Sequence, residues 1–392
     1  MKENPLQEDR IFSIDVLRGI ALLGILFVNI FSFHTPYLYG DLSTFAKSPL
    51  DRWVFTMIDL FVQASFYPLF AMLFGYSFLL LKEKLDEKGG RFYTVTVRRM
   101  LILLIIGLIH ATVVWAGDIL VTYAVFGFLL IMFINLSAKV LTTISILLYT
   151  IPNLWLFYQM LPLATFISKN HISVYDESKA AEVTAVYQHG SFLEVTVQRL
   201  QDWYLETGSA FIMLMFMVFP LFLFGVSLAK TKRLVRNKKN DRFWSWVLII
   251  TLPTGLLLKL IPYIFEKNIA TEHIQNVFGG SILTLTYISI IYLLCYKGKL
   301  ADFFGMFRDV GKISLTNYLF QSILCSFIFY SYGLGLYGQI SYTESTLLAG
   351  TIYLLQMVIS RKWLNHYQMG PMEWIWRRFT YGNFSQIKKK GV

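Results

Sequence analysis

Apolar runs long enough to cross a lipid bilayer recur along the whole chain, and that repetition limits its fold more than any other feature. A hydrocarbon core of ~30 Å needs about 20 consecutive apolar residues in a helix. Several runs reach that length, and spans are expected at about 14–34, 53–81, 100–117, 118–136, 140–166, 209–229, 243–265, 277–296, 313–336 and 347–361. Only 15% of the 392 residues are charged, whereas a soluble domain carries roughly a quarter. The expected fold is therefore all-α: a polytopic helical bundle of about ten transmembrane helices in one transmembrane domain.

The net charge of +11 suggests phosphate-binding partners until its placement is considered. The basic residues crowd into short connections such as KEKLDEKGGRFYTVTVRR and KTKRLVRNKKNDR. Alternating the connections between the two sides of a membrane puts about 28 of the 35 basic residues on one side and about six on the other. The positive-inside rule makes the basic side cytoplasmic, with both termini inside, in a bacterial cell membrane. No nucleic-acid partner is expected, because topology and attraction to anionic lipid account for the charge. The bilayer itself is the expected partner, and such a surface is compatible with a homo-oligomer.

Two regions depart from apolar crossings. Residues 167–207 form the longest polar stretch, rich in Asp and Glu, and should fold as a helical extracytoplasmic cap. Residues 362–392 read as a cytoplasmic, amphipathic and basic tail. Breaks or bends are expected at Pro68, Pro152 and Pro162. The first apolar run contains Asp15 and Arg18 and has no small-residue cleavage site, so it reads as a retained span and not as a signal peptide. Cys295 and Cys325 both lie in apolar runs, and no disulfide framework or metal-binding spacing is present.

Ionisable groups inside spans cost about 2.5–3.5 kcal/mol each on insertion scales, so they need an internal partner or a function. Asp15 and Arg18 are spaced i,i+3, and Asn29 lies within about 20° of the Arg18 face, roughly 16 Å further along the helix. Arg99 and His110 repeat that eleven-residue spacing, beside Arg98, and Asp118 follows two turns later. A buried histidine serves either as a packed, hydrogen-bonded residue or as a general base near neutral pH. Asp59 and Asp118 are its candidate partners. Asn317 and Gln321, spaced i,i+4, suit either interhelical hydrogen bonding or a polar lining. In MGPMEWIWRRF, Gly370-Pro371 reads as a helix restart and Glu373–Arg377 as an i,i+4 pair, making either an interfacial anchor or a cytoplasmic gate.

Five stretches together resemble the YeiB-like bacterial membrane proteins. They are SIDVLRGIALLGILFVNIFSF at 13–33, FYPLFAMLFGYS at 66–77, RRMLILLIIGLIHATVVWAGDILVTYAVFGFLL at 98–130, GKISLTNYLFQS at 311–322 and GPMEWIWRRFTYG at 370–382. Where many members have Gly-Arg before the fourth stretch, this chain has Gly311-Lys312. The family is similar to a wider group of transmembrane acyltransferases that includes the heparan-glucosaminide acetyltransferase. The resemblance implies acyl transfer from cytoplasmic acyl-CoA, a cosubstrate and not a tightly bound cofactor, to a lipid or glycan acceptor on the far side. His110 would act as general base, with Asp118 or Asp59 orienting it. Asp15, Arg18, Asn29, Arg98, Arg99, Asn317, Gln321, Glu373 and Arg377 would bind donor or acceptor. A membrane transporter or a non-catalytic lipid-binding protein is the alternative, with the same polar residues lining its path.

Overall fold

The computed structural model describes residues 5–382, with side chains from Phe12 onward. The described residues form helices and no strand. In order these are α1 (Pro5–His34), α2 (Pro49–Phe61), α3 (Phe66–Glu87), α4 (Phe92–Ile109), α5 (Leu120–Phe133), α6 (Ala138–Lys169), α7 (Glu177–His189), α8 (Phe192–Trp203), α9 (Phe211–Lys230), α10 (Lys238–Lys259), α11 (Ile261–Ile264), α12 (Ile269–His273), α13 (Gly280–Leu294), α14 (Gly298–Lys312), α15 (Ser314–Phe329), α16 (Tyr342–His366) and α17 (Pro371–Tyr381). Three π-helical segments, His110–Val114, Tyr204–Gly208 and Ile274–Gly279, interrupt or extend them.

Six described segments are long and apolar enough to cross a membrane: Phe12–His34, Pro49–Glu87, Phe92–Val114, Ala138–Lys169, Phe211–Lys230 and Ile269–Leu294. Leu120–Phe133 and Ser314–Phe329 are apolar but shorter. A count of ten also requires these two, together with the more polar α10 and α16, which are 22 and 25 residues long. The chain is a helical membrane protein, and α1 lies at its centre, packed on α3, α13, α14, α15 and α16.

Two close crossings set this packing. A Cβ added to Gly75 would lie 2.0 Å from the Phe222 carbonyl oxygen, and one on Gly225 would lie 2.0 Å from that of Met72, so α3 and α9 meet backbone to backbone. The same reciprocity joins α1 to α14, with Gly19 against Phe307 and Gly311 against Asp15. Small residues let helices approach to this distance where lipid provides no hydrophobic drive for association.

The second apolar run is not bent at Pro68. It breaks at residues 62–65, where Ala64 adopts a left-handed φ of 56°, and Pro68 sits in the first turn of α3, where its missing N–H costs little. Freed carbonyls at this break are met by side chains from two other helices. Lys259 Nζ donates to the Asp59 and Gln63 carbonyls at 2.9 and 2.7 Å, and Thr284 Oγ1 donates to the Ser65 carbonyl at 2.6 Å. Tyr287 donates to the Phe61 carbonyl at 2.5 Å. Pro152 and Pro162 likewise fail to break the chain; both lie inside the continuous α6.

Because Lys259 is fully buried and bonds two unwound carbonyls, its removal should be costly. Lys259→Met is expected to lose roughly 3–5 kcal/mol of stability. That loss should lower the Tm of the purified protein by ~5 °C or more, measured by intrinsic fluorescence. An unchanged Tm would show that the break does not depend on this cation.

Candidate functional site

The chain places His110 at the start of a π-helical turn, where α4 stops being regular. Single π turns recur at functional sites because they re-aim a side chain at the expense of the regular ladder. The carbonyls around this turn are satisfied from elsewhere. Arg199 Nη1 donates to Thr112 O at 2.9 Å, Ser326 Oγ to Val114 O at 2.8 Å, and the Tyr318 hydroxyl to Gly117 O at 3.3 Å.

His110 Nδ1 lies 2.7 Å from Asp118 Oδ2, and both side chains are buried. The other Asp118 oxygen accepts the Val121 N–H at 2.8 Å, which fixes the carboxylate to the first turn of α5. A carboxylate can only accept hydrogen bonds, so in the neutral-imidazole tautomer that this contact suits, Nδ1 donates to Asp118 and the lone pair is on Nε2. That Nε2 is buried with no hydrogen-bond partner among the described residues. A buried lone pair left open on an oriented imidazole suits a general base.

A cavity of about 320 Å³ approaches this pair. Arg18, Lys84, Arg99, Lys312 and Arg377 gather at one end, and Phe70, Leu73, Phe74, Leu103 and Tyr123 form its walls. Ile119 and Leu120, which directly follow Asp118, also line it, as does Tyr318, whose ring centroid is 5.3 Å from that of His110. The basic end is assembled by α17. Glu373 accepts the Leu315 and Thr316 N–H groups at 2.7 and 3.2 Å, capping α15, and Trp376 Nε1 donates to Arg99 O at 2.8 Å beneath the Arg99 guanidinium. Burial of Glu373 raises its pKa, opposed by these hydrogen bonds.

On the opposite side of the 115–119 loop lies an acidic cluster that sequence reasoning did not single out. Asp202 accepts from Tyr39, Tyr187 and Gln198 at 2.7, 2.6 and 2.8 Å, and Tyr37 donates to Glu206. Burial, then the Asp202 and Asp118 charges, push the Glu206 pKa up to about 7 despite the Tyr37 bond. Arg199 is fully buried, stacks 5.7 Å from the Tyr330 ring, and forms no ion pair among the described residues. In the sequence Arg199 and Glu206 look like any other charges of a polar segment, so no pattern marked them.

The predicted site residues fall partly at the cavity and partly away from it. Arg18, Arg99, Glu373 and Arg377 line the cavity; Asp15 is tied to Arg18 at 2.9 Å, and His110 meets Asp118 beyond the floor. Arg98 is exposed, off the cavity. Asp59 makes no bond to His110; it accepts from Tyr263 and Gln275 at 2.7 and 2.6 Å, beside Lys259. Asn317 donates to Val310 O and Ser360, and Gln321 to Gln356, so both join α15 to α16. Asn29 has no hydrogen-bond partner among the described residues and does not line the cavity. The expected Glu373–Arg377 ion pair is absent among the described residues, because Glu373 caps α15 instead. Lys312, the lysine standing where many family members have arginine, also lines the cavity, as does Lys84, which no sequence pattern marked.

Among known proteins, residues 228–383 match the family described as "Protein of unknown function (DUF418)". "Uncharacterized protein YxaH" of Bacillus subtilis (strain 168) is 33% identical, covering 98% of each chain. The "Uncharacterized 39.9 kDa protein in amylase 3'region" of Bacillus acidopullulyticus is 28% identical, over 98% of this chain and 97% of that one. YeiB of Escherichia coli (strain K12) is 27% identical, over 95% and 96%.

The raised Glu206 pKa gives stability a defined pH dependence. The folded state holds its proton to about pH 7, whereas an unfolded glutamate loses it near 4.5. Stability should therefore fall as pH rises from about 4.5 to 7 and level off above. Glu206→Gln should flatten the Tm profile across that window, and a mutant profile as steep as wild type would contradict the assignment.

Proposed function

The chain belongs to the YeiB-like family of membrane proteins, and from its cavity and its His110–Asp118 pair we propose that it is a transmembrane acyltransferase of the bacterial cell membrane. The observation that carries the reading is the cavity, basic at one end and apolar along its walls, whose floor adjoins the His110–Asp118 pair. With the basic end cytoplasmic and both termini inside, an acyl-CoA donor would bring its phosphates to Arg18, Lys84, Arg99, Lys312 and Arg377. Lys312 supplies point charge there without the bidentate fork of an arginine. The thioester arm would then run along α3, whose lining residues Phe70 to Lys84 span about 21 Å at 1.5 Å per residue.

In the proposed step the acceptor's hydroxyl oxygen attacks the thioester carbonyl. Nε2 of His110 takes the hydroxyl proton as the C–O bond forms, and the C–S bond breaks on collapse of the tetrahedral intermediate. The imidazolium, stabilised by Asp118, returns that proton to the departing thiolate. Asn317 and Gln321 have their amides committed to interhelical bonds, so neither is assigned to the oxyanion.

A transporter is the second reading, and the broken helix at 62–65 is the feature that favours it. Its unwound carbonyls are occupied by Lys259, Thr284 and Tyr287, which leaves them unavailable to a transported ion.

The test uses the purified full chain. Acyl-CoA at ~100-fold above its Kd should stabilise it by about 2.7 kcal/mol, and Arg377→Ala with Lys312→Ala should weaken that shift. His110→Ala should keep the shift and abolish acyl transfer to extracytoplasmic acceptors. The absence of a thermal shift with any acyl-CoA would overturn the reading, and full transfer by His110→Ala would remove histidine as the base.

A further inference from the structure

Helix α8 wears its polarity inside out. Gln198, Arg199 and Asp202 face inward and are buried, whereas Leu193, Val197, Leu200 and Tyr204 form an exposed stripe at i, i+4, i+7 and i+11. Leu193 is 71% and Tyr204 64% exposed. A helix lying in water would present the reverse pattern, so its outer face is built for an apolar medium. The stripe continues through Leu205 to Ile212, 72% exposed in the first turn of the apolar crossing helix α9. Residues 204 and 212 are only about 12 Å apart at helical rise, so what covers one covers the other. The cover of a crossing helix is lipid.

The stripe also borders a shallow, almost wholly apolar groove of about 520 Å³, lined by Val197, Leu200, Tyr204 and Leu205 together with Tyr39, Lys179 and Gln201. Tyr39 ties this groove to the acidic cluster through its bond to Asp202, and Tyr204 and Leu205 share a π turn with Glu206. Tyr39 thus belongs both to the groove's lining and, through Asp202, to the buried carboxylate cluster.

We propose that this groove is a binding site for a membrane lipid of the leaflet opposite the basic end, with an acyl chain along Val197, Leu200, Tyr204 and Leu205 and the polar head at Tyr39, Lys179 and Gln201. Lys179 is ion-paired with Glu182 at 2.8 Å on the exposed surface and would exchange that carboxylate for a lipid phosphate. If acyl transfer holds, a lipid so placed is the candidate acceptor, on the side away from the donor; this last clause rests on the proposed function, and the lipid site itself does not.

The experiment needs no acyl-CoA. The full chain is reconstituted in phosphatidylcholine–phosphatidylglycerol vesicles holding a phosphatidylglycerol with a photoactivatable diazirine at the end of one acyl chain. After irradiation, adducts are mapped by mass spectrometry at increasing probe fraction. Labelling at residues 193–205 is expected to saturate, while labelling of the lipid-facing Ile105 and Ile109 on α4 rises in proportion to the probe. Leu200→Gln with Val197→Gln should cut groove adducts about tenfold, equivalent to ~1.4 kcal/mol, with α4 adducts unchanged as the control for folding. A head-group diazirine should label residues 37–39. The proposal is overturned if residues 193–205 stay unlabelled while α4 is labelled, if their labelling rises without saturating, or if cross-linking finds a protein on that face. Acyl transfer without a saturable lipid site would sink this proposal alone, and a saturable site in a protein that does not bind acyl-CoA would sink the transferase alone.

Discussion

In hydrocarbon every backbone polar group must find a partner inside the protein, and this molecule is organised around the places where its helices give up their own. At 62–65 the partners are Lys259, Thr284 and Tyr287; at the π turn of His110 they are Arg199, Ser326 and Tyr318. At each break the supporting side chains come from two other helices, α10 and α13 at the first and α8 and α15 at the second, so helix breaks, which would be liabilities alone, become the points that knit the bundle together. The same requirement makes α8 part of the site, since it supplies the arginine that satisfies the Thr112 carbonyl.

That arrangement gives His110 its setting. A regular helix would direct its ring by packing alone, whereas here a π turn, the Asp118 carboxylate and the Tyr318 ring fix it together. The 115–119 loop separates the two chemical environments. One side is a cavity with five cations toward its mouth, and the other is a cluster of tyrosines with Asp202 and Glu206. The two sides differ in kind, cationic on one and built of hydroxyls and carboxyls on the other.

Much of this was legible in the sequence, for identifiable reasons. Hydrophobic length gave the membrane class, and the i,i+3 spacing of Asp15 and Arg18 gave their ion pair, because both are local properties. Asp118 was a candidate partner of His110 because eight residues of chain separate them. Asp59 was an equal candidate, and only the tertiary fold turned it toward Gln275 and Tyr263. Proline misled in both directions: Pro152 and Pro162 sit in an unbroken helix, while the real break depends on Ala64 and on a lysine almost two hundred residues away. Glu373 read as half of a surface ion pair because its true partner, the open end of α15, is remote in sequence.

The central claim is that the basic cavity carries an acyl donor to His110, and the most direct test is the structure of the full chain with a non-hydrolysable thioether analogue of acyl-CoA. The account predicts phosphate density among Arg18, Lys312 and Arg377, and the thioether sulfur at the cavity floor within reach of His110 Nε2. Density for the analogue anywhere else, or an empty cavity at saturating analogue, would contradict it.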